Sequence, residues 1–156
     1  MTQQQNVYYS FLEEYARFLE DCAQQEAKKY HALISYQPQE VDRAISSLQA
    51  ALMRVDQMEK QRELLQEQAG YKGMTFQQIL AQADAQDAQK ASALFERFQN
   101  AVNDIRFMNS KSLEFAQTNI RELDGVLPKE KGITTSYAPG KMGAASTGSP
   151  LFETKI

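Results

Sequence analysis

The chain is poor in residues that interrupt a helix: of its seven glycines and four prolines, only Gly70, Gly73 and Pro38 precede Gly125. Helix interiors tolerate Gly and Pro least, so the front of the chain is free to form long helices and the back is not. A single cysteine, Cys22, excludes an internal disulfide and fits a reducing compartment. No run approaches the roughly 20 apolar residues of a membrane span, and Met1-Thr2-Gln3-Gln4-Gln5 has neither the basic start nor the apolar core of a signal peptide. The expectation is a soluble, cytoplasmic protein without membrane insertion. Basic clusters are missing as well. The net charge of −3 divides into four basic and two acidic side chains in residues 126–156 and 13 basic against 18 acidic elsewhere. A body of charge −5 repels phosphate, so nucleic acid is not an expected partner.

The usual constellations of catalysis are also lacking. A di-iron bundle needs Glu-x-x-His on inward faces, but the only histidine is His31 and Lys28 stands three residues before it. Cys22 lies on an apolar stripe, where a thiol is generally buried and inert. Gly140, Gly143 and Gly148 do not precede a helix that could hold phosphate. No catalytic residue, metal site or cofactor is expected, and the chain does not read as an enzyme.

What is present is helical periodicity. From about residue 7 to 36, Tyr8, Phe11, Tyr15, Phe18, Cys22, Tyr30 and Leu33 recur in steps of three and four, flanked by Leu12 and Leu19. Pro38 stops this helix and opens the next, which carries Val41, Ile45, Leu48, Leu52 and Val55 at coiled-coil spacing. Beyond Met58 the stripe meets Glu59 and Arg62, a polar layer suited to fixing register. Gly70-Tyr71-Lys72-Gly73 ends that helix at about residue 69, and Thr75 with Gln78 forms a capping box for a short one through Ile79 and Leu80. A last helix from about residue 87 to 124 carries Leu94, Phe98, Val102 and Ile105, then Asn109, a second candidate for the polar layer. Met53, Met58 and Met108 read as core filler.

The expected fold is therefore all-α: an elongated, coiled-coil-like antiparallel bundle of three long helices and one short one, with a body of residues 1–125 and a flexible Gly/Pro/Ser-containing tail of residues 126–156. Two features point to binding. Phe107, Leu113 and Phe115 widen the apolar arc of the last helix, which makes it either central in the bundle or open to an incoming helix. The tail, small and polar otherwise, carries Tyr137, Met142, Leu151 and Phe152, which suit anchors that order on binding.

Together these elements resemble the FlgN family of flagellar export chaperones. The resemblance rests on the long helical hairpin, Glu59-x-x-Arg62-Glu63, the break and capped helix through Thr75-Phe76-Gln77-Gln78-Ile79-Leu80, Asn109 in mid-stripe, and a tail with Tyr137-Ala-Pro-Gly140 and Ser149-Pro-Leu-Phe-Glu153. It implies a cytoplasmic chaperone that holds the amphipathic C-terminal helices of the hook-filament junction proteins FlgK and FlgL and delivers them to the flagellar type III export apparatus. The implied client surface is Phe107, Leu113, Phe115, Ile120 and Leu123, with Leu151 and Phe152 folding over it and Tyr137 contacting the export gate. The alternatives are a chaperone of another type III client and a structural coiled-coil protein that self-assembles.

Overall fold

A computed structural model describes the backbone of residues 1–126 and the side chains of residues 1–119. Among these the chain is entirely helical in its regular elements: α1 (Gln3–Ile34), α2 (Pro38–Gln68), α3 (Phe76–Gln82) and α4 (Ala85–Val126). At about 1.5 Å per residue the three long helices measure roughly 48, 46 and 63 Å, so the bundle is elongated.

Local chemistry sets the boundaries. Thr2 and Thr75 begin α1 and α3 with the same reciprocal cap, in which the Thr hydroxyl accepts from the backbone N–H of Gln5 or Gln78 and that glutamine's side chain accepts from the Thr N–H. Asp84 accepts from the Asp87 N–H at the start of α4. The Ala69 cap of α2 leads into Gly70 at φ +87°, while the Tyr71 N–H closes onto the Gln66 carbonyl. That is the left-handed helix ending in which glycine avoids a Cβ clash. The ending of α1 repeats the geometry with a different residue. The Tyr36 N–H bonds the Leu33 carbonyl and the Gln37 N–H bonds the Ala32 carbonyl, with Tyr36 at φ 53°. A side chain in this region costs about 1–2 kcal/mol.

Cross-helix contacts give the topology. Tyr8 meets Gln66 and Tyr15 meets Glu59, so α1 and α2 are antiparallel. Tyr15 meets Phe98, Lys29 meets Asn109 and Tyr36 meets Phe115, so α1 and α4 run in the same direction. Helix α1 packs closely along both α2 and α4, whereas α2 and α4 do not pack on each other to a comparable extent. The first helix is therefore the central one, and the broad apolar arc of α4 does not make α4 central.

The continuous hydrophobic core occupies one end of the bundle, here the proximal end, where α1 begins. It takes in Tyr8, Phe11, Leu12, Tyr15, Ala16 and Leu19 of α1, Val55 and Met58 of α2, Tyr71, Phe76 and Ile79, and α4 as far as Val102. Phe76 stacks flat on Phe95 at 4.2 Å between ring centroids and meets Phe98 edge-on, as Tyr15 also does. Such aromatic pairs each add about 0.5–1.5 kcal/mol beyond their buried area. Met58 belongs to this core, but Met53 is 71% exposed and Met108 half-buried, so the methionines do not all fill the interior. Met53 follows the inward Leu52 by one residue, about 100° around the helix.

Candidate binding surface

The polar layer expected on α2 sits inside the proximal core. Arg62, only 1% exposed, pairs with Glu59 through both Nε, at 2.9 Å, and Nη2. Its Nη1 donates to Gln66 Oε1 at 2.6 Å, and the Tyr15 hydroxyl donates to Glu59 at 3.3 Å. Gln66 extends the network: its amide nitrogen donates to the Tyr71 and Met74 carbonyls at 2.9 and 2.8 Å, and its oxygen accepts from Tyr8. The loop leading to α3 is thus tied to α2, while α3 itself seats Phe76 on α4. Desolvation disfavours the Arg62 charge, but the Glu59 hydrogen bonds and charge outweigh it and hold the guanidinium above its ordinary pKa. Burial pushes the Tyr8 hydroxyl up to about 12, and burial followed by the Glu59 charge raises Tyr15 further.

A second buried polar group, not anticipated from the apolar pattern, lies beyond the core. Glu26 and Lys29 occupy the α1 line that continues Leu12, Tyr15, Leu19 and Cys22, and both are buried. Their charged atoms approach to 2.8 Å, a contact of charge more than of an aligned hydrogen bond, and Lys29 also donates to Asn109 Oδ1 at 3.3 Å. Asn109 therefore does stand in a polar layer, shared with α1. Among the described residues, the buried Gln25 Oε1 and Ser112 Oγ have no hydrogen-bond partner. The spacing of charged residues on the apolar line was the available sequence signal.

Apolar side chains toward the distal end are incompletely covered. Val55 and Val41 are 4% and 5% exposed, but Ile45, Leu48 and Leu52 between them are only half-buried. On α4, Phe98 is buried, whereas Ile105, seven residues on, is half-buried. On α2 the residue class is unchanged along this line, whereas on α4 it turns polar at Asn109 and Ser112. The three α4 residues expected to form one client surface diverge. Phe107 follows Phe98 by nine residues, about two and a half turns, and is 59% exposed on the opposite face with Lys111 4.9 Å above its ring. Leu113 is half-buried. Phe115, also half-buried, lies 6.1 Å from the exposed Tyr36 ring. The backbone of Ile120 and Leu123 continues α4, but their side chains lie outside the described residues, as do Tyr137, Leu151 and Phe152.

The remaining candidates are chemically quiet. Cys22 is buried, and desolvation pushes its thiol up to about 11, away from the reactive thiolate. His31 is exposed on the last turn of α1. Among the described residues, no group of three His, Cys, Asp or Glu side chains is arranged to hold a metal ion, and no helix is long and apolar enough to cross a membrane. No protein-family model matches this chain, and no curated protein or solved structure matches it.

Proposed function

We propose that this protein is a cytoplasmic, non-catalytic export chaperone of the FlgN type. It covers the amphipathic C-terminal helices of hook-filament junction proteins, FlgK and FlgL, and passes them to the gate of the flagellar type III apparatus. The observation that carries this reading is the half-buried stretch of Ile45, Leu48 and Leu52 on the inward apolar line of α2, between the buried Val41 and Val55. A half-covered aliphatic line is stabilised by removing it from water, at about 25 cal/mol per Å², and an amphipathic helix is the complementary shape. A client helix destined for a coiled coil has the same need until it is assembled. Tyr36, an exposed aromatic in a conformation that favours glycine, adds support, because strain of this kind concentrates at sites of function.

Titrating the full-length protein with labelled C-terminal helices of FlgK, FlgL, flagellin and the filament cap tests the proposal. Saturable one-to-one binding of the first two supports it. Exclusive binding of flagellin or the cap assigns another client, and large oligomers in sedimentation without any binding assign the face to self-assembly. Tyr137→Ala is expected to leave client affinity unchanged and reduce export, as a gate contact requires.

A further inference from the structure

We infer that the distal half of α4, from about residue 104, opens from α1 as a unit, and that the buried Glu26–Lys29–Asn109 cluster is a polar latch that makes this opening easy and its closure specific. The grip of α4 on α1 falls along the helix. Leu94, Phe98 and Val102 are large and buried, but beyond Val102 the buried side chains of α4, among the described residues, are Ser112 and Ala116. Helix α1 answers in kind, since its buried residues beyond Cys22 are Glu26, Lys29 and Ala32. Hydrophobic stabilisation scales with the apolar area removed from water, so two methyls and a few polar groups hold this half only weakly. The firm ties end earlier, where Arg97 bridges Glu13 and Glu20 of α1 and Phe98 meets Tyr15. The further ones, Lys111 over the Tyr30 ring and Tyr36 against Phe115, lie at the surface.

The two buried ion pairs of the bundle differ in how well they are satisfied. Arg62 spends Nε, Nη1 and Nη2 on Glu59 and Gln66, and Glu59 also accepts from Tyr15. Lys29, with three donors, makes one hydrogen bond among the described residues, at 3.3 Å to Asn109, and its contact with Glu26 Oε2 is not an aligned one. The Ser112 hydroxyl, one turn beyond Asn109, has no hydrogen-bond partner among the described residues. Attraction repays the desolvation of two charges only when the geometry is good and the remaining donors and acceptors are filled. Here they are not, and water fills them once α4 moves off. Closure is specific because Lys29 finds its acceptor at Asn109. A slip of one heptad, about 10.5 Å, sets Val102 or Ala116 in that place, and neither offers a side-chain acceptor to a buried ammonium.

Native-state hydrogen exchange of the full chain in low urea tests the latch. The amides of residues 104–116 are expected to exchange at least about tenfold faster than those of residues 91–102, and to respond less to urea, because a local opening exposes less surface than global unfolding. Equal rates with equal urea dependence in the two segments would overturn the opening. The variant Glu26→Leu/Lys29→Met/Asn109→Leu, in which apolar side chains replace the latch, is expected to slow the amides of residues 104–116 by about tenfold or more. Faster exchange in that variant would show that the cluster clamps α4, and would overturn the latch. Circular dichroism and sedimentation check that the variant keeps the helicity and size of the unsubstituted chain. Should it not, Ser112→Ala gives the same test of sign, with slowing of a few-fold expected and acceleration contradicting the inference.

Discussion

The two ends of this bundle use the same three long helices and end in different states. At the proximal end aromatic rings from α1, α3 and α4 fill the interior, and Arg62, Glu59, Gln66, Tyr8 and Tyr15 satisfy one another beneath them. At the distal end α1 remains buried along its line, but Ile45, Leu48 and Leu52 of α2 and Ile105 and Leu113 of α4 are half-buried beside the buried Val41, Ser112 and Ala116, with the Glu26–Lys29–Asn109 cluster between. A heptad stripe thus specifies which face turns inward, while the number of neighbours decides whether that face is sealed. Helix α3 is the neighbour that one end has and the other lacks.

The largest effects belong to the sealed end. Phe98→Ala should destabilise the protein by about 3–5 kcal/mol, and Arg62→Ala by a similar amount, since it strands Glu59. Leu48→Ala at the open end should cost about 1 kcal/mol, because part of that side chain already meets water. Urea denaturation followed by circular dichroism measures all three, and equal costs at the two ends would erase the distinction.

Alkaline pH should next loosen the sealed end. A hydroxyl or thiol whose folded pKa is raised contributes stability that is whole below its unfolded value and declines as pH rises. The decline begins near the ordinary values of 9.0 for Cys22 and 10.0 for Tyr8, and runs to about 11 and about 12 respectively. Urea midpoints should therefore hold steady from pH 7 to 9 and fall above. Tyrosinate absorbance of Tyr8 and Tyr15 should appear only with unfolding.

A smaller effect, of opposite sign, is expected at the distal turn. Tyr36→Gly should raise stability by about 1 kcal/mol by relieving the left-handed conformation, and should weaken binding of a FlgK C-terminal helix peptide. A thermal melt and a peptide titration on the same variant report both changes. The smallest effect is that of Phe107→Ser, whose outward ring leaves the melting midpoint within about 0.5 kcal/mol of wild type.

The four helices were legible because Pro38, Gly70 and the Thr75–Gln78 box act locally, and the steps of three and four persist between them. The Glu59–Arg62 layer was legible for the same reason, as charges three residues apart on an apolar line. Its extension to Gln66, Tyr8 and the loop carbonyls was not, since those partners meet only after α1 and α2 align. Glu26 and Lys29 read as gaps in a stripe, yet burial against α4 makes them part of it. The cap at Thr2 was missed because a glutamine-rich start resembles a loop until Gln5 is seen reaching back. Periodicity placed Phe107, Leu113 and Phe115 together as additions to one apolar arc; at about 100° per residue they stand at different angles from the inward Phe98, and the packing of α1 on α4 decides which of those angles is covered.

Hydrogen exchange of the full-length protein, with and without a peptide of the FlgK C-terminal helix, addresses the half-buried stretch most directly. The amides of residues 44–52 and 104–111 should exchange faster than those of residues 55–68 and 91–102 in the free protein, and should slow on adding peptide while the proximal amides barely change. Uniform protection along the rod, untouched by the peptide, would contradict the account.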